Sequence, residues 1–228
     1  MVFRSPIFLL LLAPVLLLNT KLSHAQSDIN LLPKYGLLQK ADWQKVADEN
    51  FVSGMDERYH GDRTKASIDT SARGWQYLMQ HDQDDAMRRF NQAWLLDSNN
   101  GYALWGMAAV EGSFGKLDES LKLFAEAEKF VGGEINFSVD YAKALGTAAA
   151  MRNDNVMLKD ALNRYEDIYK KAPQNTNNLQ NWAIILFAKQ RYPEAWAKIK
   201  LAEATPDKSQ IDPRFVADLE AHMPRPKD

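Results

Sequence analysis

Ala86-Met87-Arg88-Arg89-Phe90-Asn91-Gln92-Ala93 and Ser120-Leu121-Lys122-Leu123-Phe124-Ala125-Glu126-Ala127 carry the same small–large–small triplet, 34 positions apart. Two further copies follow as Ala161, Tyr165, Ile168 and Ala195, Ile199, Ala202. Corresponding members are separated by 34, 41 and 34 residues. Each triplet falls at i, i+4, i+7, so its members share one face of an α-helix. The small residue lets a second backbone come close, and the large one fills the groove beside it. Spacing of this length belongs to a stack of helix pairs, each burying its apolar face on the next.

The turns before the triplets agree. His81-Asp82-Gln83-Asp84-Asp85, Gly115-Lys116-Leu117-Asp118-Glu119 and Gln190-Arg191-Tyr192-Pro193-Glu194 each end one helix and begin another. They set carboxylates in the new helix's first turn, at the positive end of its dipole.

Laid in this register, the chain resembles the tetratricopeptide repeat family. Residues 67–100 keep Gly74 and Tyr77 before Ala86, Phe90 and Ala93, and end Asp97-Ser98-Asn99-Asn100 where the family usually has Asp-Pro-Asn. Residues 101–134 have Leu104, Met107 and Ala108, then Ser120, Phe124 and Ala127. Residues 142–175 match with Leu145, Ala148 and Ala149, depart at Arg152, where an apolar side chain is expected, and match again at Ala161, Tyr165, Ile168 and Pro173. Residues 176–209 supply Leu179, Trp182, Ala183 and Leu186, then Ala195, Ile199, Ala202 and Pro206. The resemblance implies an all-α, right-handed solenoid of about four helix pairs with N- and C-terminal capping helices. Residues 67–134 hold repeats 1–2 and residues 142–209 repeats 3–4. The seven extra residues, 135–141, are expected to be a loop insertion near Val131 to Asp140, around Gly132-Gly133.

Residues 1–25 have the layout of a secretory signal peptide: Arg4, the apolar run Ile7 to Leu18, then a polar stretch ending Ser23-His24-Ala25. Twelve apolar residues rise only about 18 Å as a helix, short of a bilayer core of about 30 Å. No membrane-spanning segment is therefore expected after cleavage near Gln26. Residues 26–66 comprise a connector and a capping helix from Asp42 to Tyr59, whose stripe is Trp43, Val46, Ala47, Phe51, Met55 and Tyr59. Residues 210–228 comprise a second capping helix through Phe215, Val216 and Leu219, and a tail from Met223 expected to be disordered.

With 228 residues, 46% hydrophobic and 25% charged, the chain has an ordinary globular composition. It has no cysteine, which excludes thiol catalysis, disulfides and thiolate zinc sites. Loss of Arg4 and Lys21 with the leader takes the net charge from −2 to −4, so nothing marks a nucleic-acid surface. His60, His81 and His222 lie far apart, and neither a phosphate loop nor a nucleophile elbow is present. No catalytic residue, metal site or cofactor is expected.

In the family, set positions on the first helix of each pair line a concave groove. The resemblance puts Trp75, Met79, Tyr102, Trp105, Lys143, Asn177, Gln180 and Phe187 there as candidate partner-binding residues. Trp75 and Ser71 stand where carboxylate-gripping members carry Asn and Lys, so that clamp is absent. Two fates are open for Trp75 and Trp105: anchors for a partner, or core under the N-terminal helix. Phe187 has the same choice between a partner and the C-terminal helix. The reading is a non-catalytic scaffold for protein partners in the cell envelope, exported and periplasmic, with a secreted protein as the other location. The alternative is a dedicated regulatory subunit of an envelope enzyme, secretion or polysaccharide-export machine.

Overall fold

The computed structural model describes residues 28–227, so the signal-peptide reading of residues 1–25 lies outside them. Among the described residues the regular elements are all helical: α1 (Asp42–Tyr59), α2 (Arg63–Met79), α3 (Gln83–Leu96), α4 (Gly101–Ser113), α5 (Leu117–Val131), α6 (Ile135–Arg152), α7 (Asn155–Lys171), α8 (Thr176–Ala188), α9 (Tyr192–Glu203) and α10 (Pro213–His222). α2–α3, α4–α5, α6–α7 and α8–α9 are antiparallel pairs, stacked in order into an α solenoid. Local chemistry sets the ends. The turn inside each pair places one residue at positive φ: His81 (60°), Gly115 (74°), Asn153 (53°) and Gln190 (59°). Asp82 and Asp154 then accept backbone N–H groups at the starts of α3 and α7, and Asn100 and Asn175 do so for α4 and α8.

All twelve triplet residues are buried. Phe90 shows how they work. Its ring wedges between two inner helices at glycines: a Cβ on Gly74 would come within 2.6 Å of it, and one on Gly106 within 2.2 Å. That is far inside van der Waals contact, so α2 and α4 reach Phe90 only because both positions lack a side chain.

Residues 135–141 correct the expected loop. They are the first two turns of α6, which has 18 residues where α4 and α8 have 13. Gly132-Gly133 supplies the turn, but Phe137, Tyr141 and Leu145 continue an i, i+4, i+8 apolar face back to the helix start, and all three are buried. α4 packs closely on α2 and α6 on α8, whereas α4 and α6 meet over a much shorter stretch.

Three departures lie at the ends. α1 has the expected bounds, with Ala41 as its N-cap. Only its second half packs: Met55 is buried with Ala66 and Leu96, and Phe51, Val52 and Tyr59 lean on them, while Trp43 and Val46 face solvent. The connector is more than a local tether. Residues 28–35 cross the outer helix α3, where the buried Asn91 side chain donates to the carbonyls of Asn30 (2.8 Å) and Leu32 (2.9 Å) and accepts from the Tyr35 N–H (3.3 Å). Lys34 reaches Glu126 of α5 at 2.7 Å. The tail from Met223 to Arg225 turns back onto α9. Trp196 donates its indole N–H to the Met223 carbonyl at 2.9 Å, and Arg225 stacks 4.7 Å over the Trp196 ring while forking onto Glu203.

Candidate interaction groove

The inner helices bring aromatic side chains together where α2, α4 and α6 adjoin. Trp75 of α2 meets Trp105 of α4 edge-on, ring centres 4.7 Å apart, and Phe90 at 5.5 Å. Phe137, from the added turns of α6, stands edge-on beneath Trp105 at 5.7 Å. Tyr102 lies tilted beside Trp105 at 6.4 Å, and its hydroxyl donates to Glu134 at 3.3 Å. These are favourable offset and T-shaped geometries. The Trp105 indole N–H donates to Asp140 Oδ2 at 3.0 Å, a bond that sets the ring's orientation.

Beyond Asp140 a recess of about 350 Å³ opens between α4 and α6. Its walls include Ala109, Gly112, Lys143 and Thr147, and Phe124 and Ser120 of α5 line its outer-helix side. Small side chains leave the space, and Asp140, Lys143 and Thr147 are among the polar groups that edge it. Burial pushes the Asp140 carboxyl above the usual carboxylate range, against the opposing pull of the Trp105 hydrogen bond and the Lys143 ammonium. The result is a mostly apolar slot with one acid and one exposed cation at its rim.

The eight candidate residues do not converge on one site. Trp75, Tyr102, Trp105 and Lys143 gather at the α4–α6 junction. The rings of Trp75 and Trp105 are half-buried against one another and are not under α1, whose contacts are Ala66 and Leu96. Met79 is exposed at the end of α2, outside the recess. Asn177 lies on α8, accepting from Asn181 at 2.8 Å. Gln180 and Phe187 belong to the C-terminal cap. Gln180 accepts the Asp212 N–H, and Phe187 packs on Phe215 (5.6 Å) and His222 (5.0 Å). They are unavailable to a partner because α10 already covers them.

The site also has members outside that set: Phe137 and Asp140 from the added turns, and Thr147 further along α6. The i, i+4 run from Phe137 to Leu145 was the signal for a longer α6, but the repeat register starts that helix at residue 142 and sets the run outside it.

No group of three or more metal-binding side chains is assembled among the described residues, and none of their helices is long and apolar enough to cross a membrane.

No family model matches the chain, and no curated protein does. Solved structures do. The "MamA RS-1 ArsTM double mutant" chain superposes with a TM-score of 0.50 at 14% identity, over 71% of this chain and 93% of its own. The "MamA 41-end" chain from Desulfovibrio magneticus RS-1 gives 0.48 at 16% identity, over 62% and 75%. At such identities the likeness is one of fold, and the fold is a tetratricopeptide-like solenoid.

Proposed function

We propose that the chain is a non-catalytic adaptor of the cell envelope that holds a partner peptide or helix against the α4–α6 junction. The observation that carries this reading is the recess itself. It lies where the inner helices separate, beside aromatic rings held in place by Asp140 and Phe137. Trp and Tyr dominate binding energy where they stand half-exposed and already oriented. A periplasmic location accords with the leader-like residues 1–25 and the absence of cysteine.

The test is photo-crosslinking in cells from position 143 at the rim, with position 163 on α7 as the control. Capture of one envelope protein from 143 and not from 163 supports the adaptor. Equal capture from both sites, or none, rules out the groove. With the captured partner in hand, Trp105→Ala should weaken binding by about 30-fold or more, equivalent to about 2 kcal/mol at a central aromatic anchor. A mature N-terminus far from Gln26 would remove the envelope from this reading and leave the groove in place.

A further inference from the structure

Ten arginines lie among the described residues, and seven have a carboxylate oxygen within 4 Å: Arg63, Arg88, Arg152, Arg164, Arg191, Arg214 and Arg225. Acids outnumber bases in the sequence, 30 to 28, so pairing is not limited by supply. Yet Arg73 of α2 and Arg89 of α3 have no such partner among the described residues, and they share a recess of about 330 Å³. Its other walls are Gln76, Tyr77 and Gln80, so every lining side chain can donate a hydrogen bond and none is an acid.

Helix geometry places this recess. At about 100° per residue, Arg73, Gln76 and Gln80 lie on the side of α2 turned away from Trp75 and hence from α4. This is the side of the first helix pair turned from α4, at the end nearer the α2–α3 turn; the apolar contacts of α1 lie near Ala66 and Leu96 at the other end, and its Tyr59 hydroxyl comes within electrostatic reach of Arg73. Arg89 is held in place: its guanidinium lies 5.8 Å over the Tyr77 ring, and Nη1 donates to Gln92 at 2.8 Å. Asp69, one turn before Arg73 on α2, is hydrogen-bonded to the Tyr59 hydroxyl.

We infer that Arg73 and Arg89 form an oxyanion site that takes a phosphate or carboxylate group of a ligand. Two guanidinium forks facing one recess offer the paired, planar N–H donors that such groups accept. The glutamine amides on either side complete the donor set. This site is separate from the groove and does not depend on what the groove binds.

Calorimetric titration of the whole chain with inorganic phosphate, at constant ionic strength, tests it. Saturable binding is expected. Arg73→Gln and Arg89→Gln should each weaken it at least fivefold, and Arg58→Gln, an unpaired arginine on α1 outside the recess, should leave it unchanged. Parallel titrations with acetate and citrate tell the sources apart: preference for phosphate identifies a phosphate ester as the ligand class, preference for the carboxylates an acidic group. Absence of saturable binding by any of the three anions overturns the site. So does an equal loss in Arg58→Gln, which would mean diffuse attraction screened by salt. Circular dichroism of each variant confirms that a loss of binding is not a loss of fold.

Discussion

α1 and α10 both carry an apolar stripe at helical spacing, yet Leu219 of α10 is fully buried while Trp43 and Val46 of α1 are 70% and 53% exposed. α10 packs on Ala183, Leu186, Trp196 and Ile199, and the residues after it are tied back by Trp196 and Arg225. α1 touches the stack with one end only. At the N-terminal end the firmer hold is on α3, where Asn91 grips the connector with three hydrogen bonds. A stripe says which way a helix face points around its own axis. It does not say whether a neighbour is present along the whole length. The two ends therefore differ in what dominates their hold: apolar packing of a whole helix at one, and at the other a polar clasp on a connector that buries Ile29 and Tyr35 beside it.

The largest effect is expected where packing dominates. Leu219→Ala should cost about 2–5 kcal/mol in equilibrium denaturation, while Val46→Ala should stay within about 0.5 kcal/mol. Equal losses would abolish the contrast between the ends. Next comes the clasp: Asn91→Ala should cost about 1–3 kcal/mol, because buried backbone groups of the connector lose their partner. It should also open residues 28–40 to limited proteolysis without exposing α10. Trp196→Phe keeps an aromatic ring and removes the indole N–H together with the smaller ring that bears it. About 1 kcal/mol is expected, with earlier cleavage after residue 222.

The smallest effect is expected midway, at Asp140, which touches neither end. Its carboxyl is raised by burial, so the folded chain holds that proton to higher pH than the unfolded chain does. The contribution is therefore fully present below the ordinary carboxylate pKa of about 4, and it is lost as pH rises through the raised value. Asp140→Asn keeps an acceptor for Trp105 and no longer titrates. Relative to it, the native chain should lose stability, by about 1 kcal/mol or less, between pH 4 and neutrality. A native chain that gains on the variant across that range would reverse the sign assigned to burial.

Much of the fold was legible because its signals are local and repeated. Ala86, Phe90 and Ala93 and their three echoes announce the buried seams, and all twelve are buried. The extent of α1 was legible from its stripe, Trp43 to Tyr59. What escaped were relations between distant residues. Trp196 finds Met223 and Arg225 finds Glu203 across 27 and 22 positions, and no periodicity encodes either meeting. Gln180 and Phe187 occupy groove positions by register, but the register does not contain α10. At the site, Trp105 was legible and its support was not. Phe137 and Asp140 precede the position where the repeat pattern starts its helix, so a face that runs on unbroken was assigned to a loop.

The length of that extension has a consequence for how the stack tolerates change. Seven residues at 3.6 per turn rotate a helix by about 700°, within about 20° of two full revolutions. Lengthening α6 by seven therefore leaves every downstream side chain at the azimuth it would have had without the addition. Six residues would turn those faces by about 120° and eight by about 80°, moving Leu145 and Ala149 off the seam. Residues 135–141 thus behave as a phase-neutral spacer. They let one inner helix outgrow its neighbours and bring new side chains to Trp105, while the two repeats that follow keep their alignment.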